Sequence, residues 1–396
     1  MSEATGTGKR VALVLGSGGA RGYAHIGVIE ALEARGYEIV ALSGCSMGAL
    51  VAGVYAAGQL AAYRDWVGKL DYMDVLRLVD VSWSPMGAMR ANKVMAKLES
   101  LIGETLIEDL AIPVTTVATD LVRQREVWFQ SGSLLQAIRA SIAVPGVITP
   151  VHLGEQVLVD GGLLNPLPIM PTISAQADLV MAVNVTAHSP HPVSLEALLP
   201  PEEAAEEAAR DDEGGIAGWF EEVRRRTQRW FSSTEDDNDN GGPKAARQRA
   251  WGRLEMVLAS FDITQATLAK YKVAGYPPDV LIEIPKTVCG AHEFHRAEAL
   301  IRLGRHLADQ ALDSYETTPE GIQMAVHVGP KVATIAPTGE SAPVVVGEEA
   351  GEVTGEEPIA DEGPATRGPE ASDAEAGEGK ALREDSSGEN RGMASS

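Results

Sequence analysis

Ile39-Val40-Ala41-Leu42-Ser43-Gly44-Cys45-Ser46-Met47-Gly48 is the stretch on which the reading of this chain turns. The apolar run Ile39 to Leu42 leads into Gly44-Cys45-Ser46-Met47-Gly48, and a small-residue stretch of helical character follows from Gly48 to Gly58. Strand, sharp turn and helix in that order are the setting a G-x-S-x-G nucleophile elbow requires. The glycines leave room for a tight turn that pushes the serine hydroxyl away from the backbone at a helix N-terminus. Ser46 is therefore the candidate nucleophile, with Gly44 and Gly48 supporting the turn.

Two further stretches supply what such a serine needs. Val11 to Leu15 predicts a buried parallel strand, and Gly16-Ser17-Gly18-Gly19-Ala20-Arg21-Gly22 follows it before a helix through Ile26, Val28, Ile29 and Leu32. A glycine loop there crowds backbone N–H groups toward a negative charge, either a phosphate or the oxyanion of an acyl-transfer intermediate. Farther on, Val157-Leu158-Val159 ends in Asp160-Gly161-Gly162, a carboxylate at the end of a predicted strand, with glycines that let other groups come close.

Taken together, these stretches resemble a known family. Gly18-Gly19-Ala20-Arg21-Gly22 with Ala24-His25-Ile26-Gly27, then Gly44 to Gly48, then Ala140-Ser141-Ile142-Ala143-Val144-Pro145, then Asp160-Gly161-Gly162 match in order the blocks of patatin-like phospholipases. The chain is most similar to bacterial members related to the catalytic domain of neuropathy target esterase, over residues 9 to 316. The resemblance implies a three-layer α/β/α hydrolase with a mixed, mainly parallel sheet and a nucleophile elbow. It makes Ser46 the nucleophile and Asp160 its side-chain partner, with the loop Gly18, Gly19, Ala20, Arg21 and Gly22 as oxyanion hole, and Gly161 and Gly162 in support. The implied substrate is a phospholipid or lysophospholipid, and no metal or organic cofactor is implied. One departure stands out: Ser17 occupies the first glycine position of the family's Gly-Gly-Gly-x-Arg-Gly loop.

The chemistry can be argued from the residues themselves. A serine hydroxyl is a poor nucleophile until a neighbour takes its proton, and an aspartate can do so if burial raises its pKa toward neutrality. Asp160 would then accept the Ser46 proton, Ser46 would form an acyl-enzyme, and Asp160 would later activate water. Arg21, inside the glycine loop, would brace that loop or meet a phosphate head group. A rival triad would need a histidine such as His292, His295 or His306, which the apolar spacing places on one helix, Ala291 to Asp309. His25 and His152 read as structural, and Cys45, at the variable position of the elbow, as a packing residue. The glycine loop fits the dinucleotide pattern G-x-G-x-x-G poorly, because Arg21 stands where its third glycine belongs. A catalytically silent lipid-binding or scaffold protein of the same fold is the reading from another class, and the intact pair of Ser46 and Asp160 argues against it.

Composition bounds the rest. The 396 residues are 44% hydrophobic, enough for one large domain with additions, and the formal net charge of −23 argues against a nucleic-acid partner. Two cysteines are too few for a disulfide framework and fit a reducing, cytoplasmic setting. Met1 to Arg10 holds no apolar signal core, and any membrane contact is expected to be peripheral.

The expected organisation is a flexible N-terminus, 1–8, a hydrolase domain, 9–316, and an acidic disordered tail, 317–396, in which 15 acidic residues oppose 5 basic ones from Lys331 onward. Strands are expected at 11–15, 39–42, 114–118, 157–159, 179–185 and 280–284, with a helical stretch at 247–274. Residues 187–246 break the pattern with prolines and an acidic run through Glu202, Glu203, Glu206 and Glu207, and are expected to be an insertion. Within it, 216–231 predicts an amphipathic helix whose Trp219, Phe220, Trp230 and Phe231 fall on one side, flanked by Arg224, Arg225, Arg226 and Arg229. Such a stripe suits a membrane interface, a lid or a partner site, or packing against the enzyme's own core.

Overall fold

Val11 to Leu15 carries no polar side chain on either side of its pleat, a pattern stable only in a strand covered on both faces. In the computed structural model, which describes residues 8–78, 90–205, 207, 253–317 and 326–329, this run lies within β1 (Arg10–Leu15). The other strands are β2 (Glu38–Cys45), β3 (Val114–Asp120), β4 (Arg125–Phe129), β5 (Val151–Leu153), β6 (Gln156–Asp160), β7 (Leu179–Ala187), β8 (Val280–Pro285) and β9 (Val326–Val328). They form one sheet in the order β5-β6-β3-β2-β1-β7-β8-β9, with β4 also paired to β3. Contacts of β1 with β2 and β7, β2 with β3, β7 with β8 and β8 with β9 are parallel, whereas β4 and β6 run antiparallel to β3. The expected mixed, mainly parallel sheet is present.

Alternation along β1 sorts the two faces. Val11, Leu13 and Leu15 join Met181 and Val183 of β7 and Ile282 of β8 in the larger core. That face is covered by α1 (Ala24–Ala34), α2 (Met47–Ala56) and α8 (Ala297–Thr317), with α3 (Leu60–Val67), α4 (Tyr72–Leu78), α5 (Asn92–Ile102) and α6 (Leu134–Ser141) beyond α2. Val14, Ala182 and Leu281 point the other way, against Leu167, Ile169 and Ala269 of α7 (Arg253–Gly275). Helices thus cover both faces, the three-layer arrangement expected.

The structure departs from the expected boundaries in three places. Val280, Leu281 and Ile282 pair with Val326, His327 and Val328, so the sheet continues past residue 316 into the stretch expected to be tail. The insertion does not begin as loose chain: Leu195 and Leu199 are buried, and Glu203 and Glu207 meet Arg302, with Glu207 also reaching Arg296. Those carboxylates belong to the acidic run assigned to the insertion, and they pair with arginines just before α8 and in its second turn. The helix expected from Ala291 begins at Ala297, because Glu293 Oε2 accepts the Gly290 N–H at 2.8 Å and the Ala291 carbonyl is engaged by Ala20. His292 therefore precedes the helix and His295 lies in a 3-10 turn, Phe294–Arg296. The helical stretch expected at 247–274 is described from Arg253. The aromatic helix at 216–231 and the tail from 330 onward lie outside the described residues. No helix of the described residues is long and apolar enough to cross a membrane.

Helices α1 and α8 approach each other through two glycines. A Cβ on Gly27 would meet the Ile301 carbonyl, and one on Gly304 the Ala24 carbonyl. Alanine gains about 1 kcal/mol over glycine in a helix, but overpacking against an immovable backbone costs about 1–3 kcal/mol. A Cβ on Gly304 would lie 1.9 Å from the Ala24 oxygen, so the upper end of that cost applies, and Gly304→Ala is expected to lower unfolding free energy by about 2 kcal/mol in denaturant titration. A variant as stable as the parent, or more so, would show that the two helices are free to separate.

Candidate active site

β2 ends at Cys45 and α2 starts at Met47, so Ser46 alone makes the turn between them. It does so at φ 55° and ψ −123°, a conformation that strains an L residue. Close packing enforces the turn. A Cβ on Gly44 would lie 2.6 Å from the Ala49 nitrogen, and one on Gly48 would collide with the Leu15 carbonyl. The Ser46 N–H donates to Ser141 Oγ at 2.8 Å, and Ser141 in turn donates to the Val117 carbonyl at 2.6 Å.

β3 brings the carboxylate to the serine. β4 occupies Thr116 to Asp120 along one edge of β3, which leaves β2 and β6 to share the other edge. On that edge Cys45 pairs with Val117 and Asp160 pairs with Ala118, consecutive positions at which the ends of β2 and of antiparallel β6 meet. The Ser46 hydroxyl donates to Asp160 Oδ2 at 2.5 Å. Gly162 N–H donates to Oδ1 at 2.7 Å, and Cys45 Sγ lies 3.8 Å from the same oxygen. Gly161 and Gly162 permit this closeness: a Cβ on Gly161 would strike the Val117 carbonyl, and one on Gly162 would lie 2.9 Å from Ser17 Oγ.

Asp160 has no exposed surface. Burial pushes its carboxyl up to about 6, against the opposing pull of hydrogen bonds from Ser46, the Gly162 N–H and Cys45. None of its hydrogen-bond partners is a histidine. His25 instead donates Nε2–H to the Gly16 carbonyl at 2.8 Å, and burial lowers its pKa to about 4, so it stays neutral at physiological pH and holds the loop. His306 is hydrogen-bonded to Gln310 and His327 to Glu283.

The loop after β1 lies beside the elbow. Gly19 takes φ 59°, where a side chain would also strike the Ala291 carbonyl. Ser17 needs no left-handed conformation and donates its N–H to the Pro166 carbonyl at 2.8 Å, so its departure from glycine leaves the loop intact. Of the five residues expected to form the hole, Ala20 spends its N–H on Ala291 at 2.9 Å. Gly22 packs against Met47, where a Cβ would touch that side chain. Arg21 is buried, with Nε on the Gly18 carbonyl at 3.0 Å, Nη1 on the Lys286 carbonyl at 2.9 Å and Nη2 3.8 Å from Asp262. Its guanidinium braces the loop from within. Among the described residues no hydrogen bond engages the N–H of Gly18 or Gly19.

A cavity of about 190 Å³ opens on Ser46 and Gly19. Its walls are apolar and come from Leu50 of α2, Tyr63 and Trp66 of α3, Val94 of α5, and Ile142 and Val144 after α6. Sequence reasoning assigned no role to these positions or to the Ser141 hydroxyl. Tyr63, Trp66 and Leu70 recur at helical spacing, which was the available signal for the wall.

Residues 13–173 match the family described as patatin-like phospholipase. An uncharacterized NTE family protein of Mycobacterium tuberculosis is 44% identical over 332 residues, covering 78% of this chain and 92% of the relative. A protein of Cryptococcus neoformans named lysophospholipase NTE1 is 32% identical over 172 residues, 41% of this chain and 10% of that one. Among solved structures, VipD from Legionella pneumophila covers 78% of this chain and 67% of its own at 16% identity, with a TM-score of 0.35. With the mycobacterial identity running through most of both chains and the family match running from within β1 past the elbow and Asp160, this protein belongs to the patatin-like phospholipase family, among its NTE family members.

Proposed function

We propose that this protein hydrolyses acyl esters of phospholipids or lysophospholipids through a Ser46–Asp160 dyad and an acyl-enzyme. The observation that carries the reading is the 2.5 Å contact between the Ser46 hydroxyl and Asp160 Oδ2 at the mouth of an apolar cavity. Asp160 takes the serine proton as Ser46 attacks the ester carbonyl. The carbonyl oxygen becomes an oxyanion, held by the free N–H groups of Gly18 and Gly19 and favoured by the N-terminus of α2. As the tetrahedral intermediate collapses, the protonated Asp160 returns its proton to the leaving alkoxide. It next removes a proton from water, whose oxygen attacks the acyl-enzyme, and returns that proton to Ser46 Oγ as the second intermediate collapses and frees the fatty acid. The acyl chain lies in the cavity lined by Leu50, Tyr63 and Trp66. The relative named lysophospholipase supports this substrate class.

If this is right, a fluorophosphonate should label Ser46, and Ser46→Ala should lose both labelling and esterase activity. Asp160→Asn should cut turnover by roughly three orders of magnitude, while His292→Ala, His295→Ala and His306→Ala each keep most of it. A folded histidine variant as inactive as Asp160→Asn would replace the dyad with a triad.

Asp160 must be ionised to accept the proton, so kcat/KM should rise with pH through about 6. The same shift bears on stability with the opposite sense. Because the folded-state pKa is raised from 3.8 to about 6, ionising Asp160 disfavours the folded state, and stability falls as pH rises between those values. Above both, the loss is on the order of 3 kcal/mol. Asp160→Asn removes it, and its amide can donate to Ser46 Oγ, so the inactive variant should melt higher than the parent at neutral pH. An activity profile with its acid limb near 4, or an Asp160→Asn protein that melts lower, would refute the buried-base assignment.

A further inference from the structure

Asp160 Oδ1 points away from the reacting hydroxyl, and two groups hold it there: the Gly162 N–H and Cys45 Sγ. Cys45 is wholly buried between β3 and the Asp160 turn, its sulfur placed where a Cβ on Gly161 would approach to 3.0 Å. Ser17, also buried, is the other side chain that acts on the thiol, and it favours negative charge on the sulfur. An ionised carboxylate can only accept, so the thiol hydrogen must point at Oδ1. A relay from Ser17 through Cys45 to Asp160 would therefore run in one direction. It would join the variable residue of the elbow, just before the nucleophile, to the serine that stands in place of a glycine in the loop after β1.

We propose that Cys45 is a positioning residue for the base, and that Ser17 acts through it: the thiol fixes the rotation of the Asp160 carboxylate so that Oδ2 alone faces Ser46, and it stabilises the ionised form. This rests on the reading of Asp160 as the base. The thiol remains a donor throughout, because burial and the neighbouring Asp160 charge raise its pKa well above the ordinary value. The other charged group acting on the cysteine is Glu126 of β4, whose carboxylate is met by Lys272 of α7 at 2.8 Å. Asp160's own shift is caused by burial and by its three donors, so removing one donor acts directly on the base. Cys45 is not a second nucleophile: it is sealed from the cavity and held as a neutral thiol.

The test is the pH dependence of Ser46 labelling by a short-chain fluorophosphonate, measured on the full chain as wild type, Cys45→Ala, Ser17→Ala and the double variant, with a thermal melt of each. Loss of a donor to the ionised form raises the pKa, so the acid limb of Cys45→Ala should move up by about half a pH unit. Ser17→Ala should move it in the same direction by less, and the double variant should match Cys45→Ala alone, as expected of two groups acting in series. A uniform loss of rate with the midpoint unmoved, or two shifts that add, would reduce Cys45 to packing and overturn the proposal. Should Cys45→Ala fail to fold, Ser17→Ala carries the decision, and an unmoved midpoint there overturns it. Wild-type protein that is not labelled at Ser46 would instead refute the dyad on which the proposal rests.

Discussion

One edge of β3 determines this site. β2 and β6 come to it from opposite directions and run out at adjacent positions, Cys45 against Val117 and Asp160 against Ala118. Where two strands meet end to end, a backbone carbonyl loses its ladder partner and needs another. Val117 is that carbonyl, and Ser141 satisfies it while accepting the Ser46 N–H. A hydroxyl that donates to one group and accepts from the other thus ties the strained turn to the middle of the sheet. The elbow and the carboxylate are in register because both are indexed to the same strand.

The rigidity behind that register is what permits two unfavourable features to persist. Ser46 holds a backbone conformation costing on the order of 1–3 kcal/mol, and Asp160 is a buried carboxylate with no cationic partner among the described residues. Neither would survive in a loop free to relax. Here glycines at 44, 48 and 161 remove the side chains that would keep backbone from backbone, and the apolar core on both faces of β1 supplies the free energy that offsets the strain. The instability is concentrated where the chemistry needs it.

Much of this was readable in the chain itself, for identifiable reasons. Val11 to Leu15 and Ile39 to Leu42 stood out because central parallel strands are apolar without alternation. Ser46 and Asp160 stood out because short glycine-flanked motifs report backbone geometry directly. What could not be read depended on distant partners. The loss of the Ala20 N–H as an oxyanion donor is decided by Ala291, and the late start of α8 by the turn that presents Ala291. The acidic run at Glu203 and Glu207 looks solvated until Arg296 and Arg302 are brought beside it. β9 is three residues long, too short for its own periodicity to register before β8 offers an edge.

The geometry also fits a proposed base that works without a histidine between it and the nucleophile. In a serine, histidine and aspartate triad the carboxylate orients a mobile imidazole, which needs its tautomer and ring plane fixed. In the proposed dyad the carboxylate would itself be the base, and a carboxylate has one rotation to fix. The Gly162 N–H and Cys45 share Oδ1, leaving Oδ2 to the hydroxyl. Orientation is thus supplied by backbone two residues downstream of Asp160 and by the residue immediately before the nucleophile. Basicity comes from burial rather than from a relayed charge. An uncharged imidazole such as His25 is free for another task, holding the Gly16 carbonyl beneath the oxyanion loop.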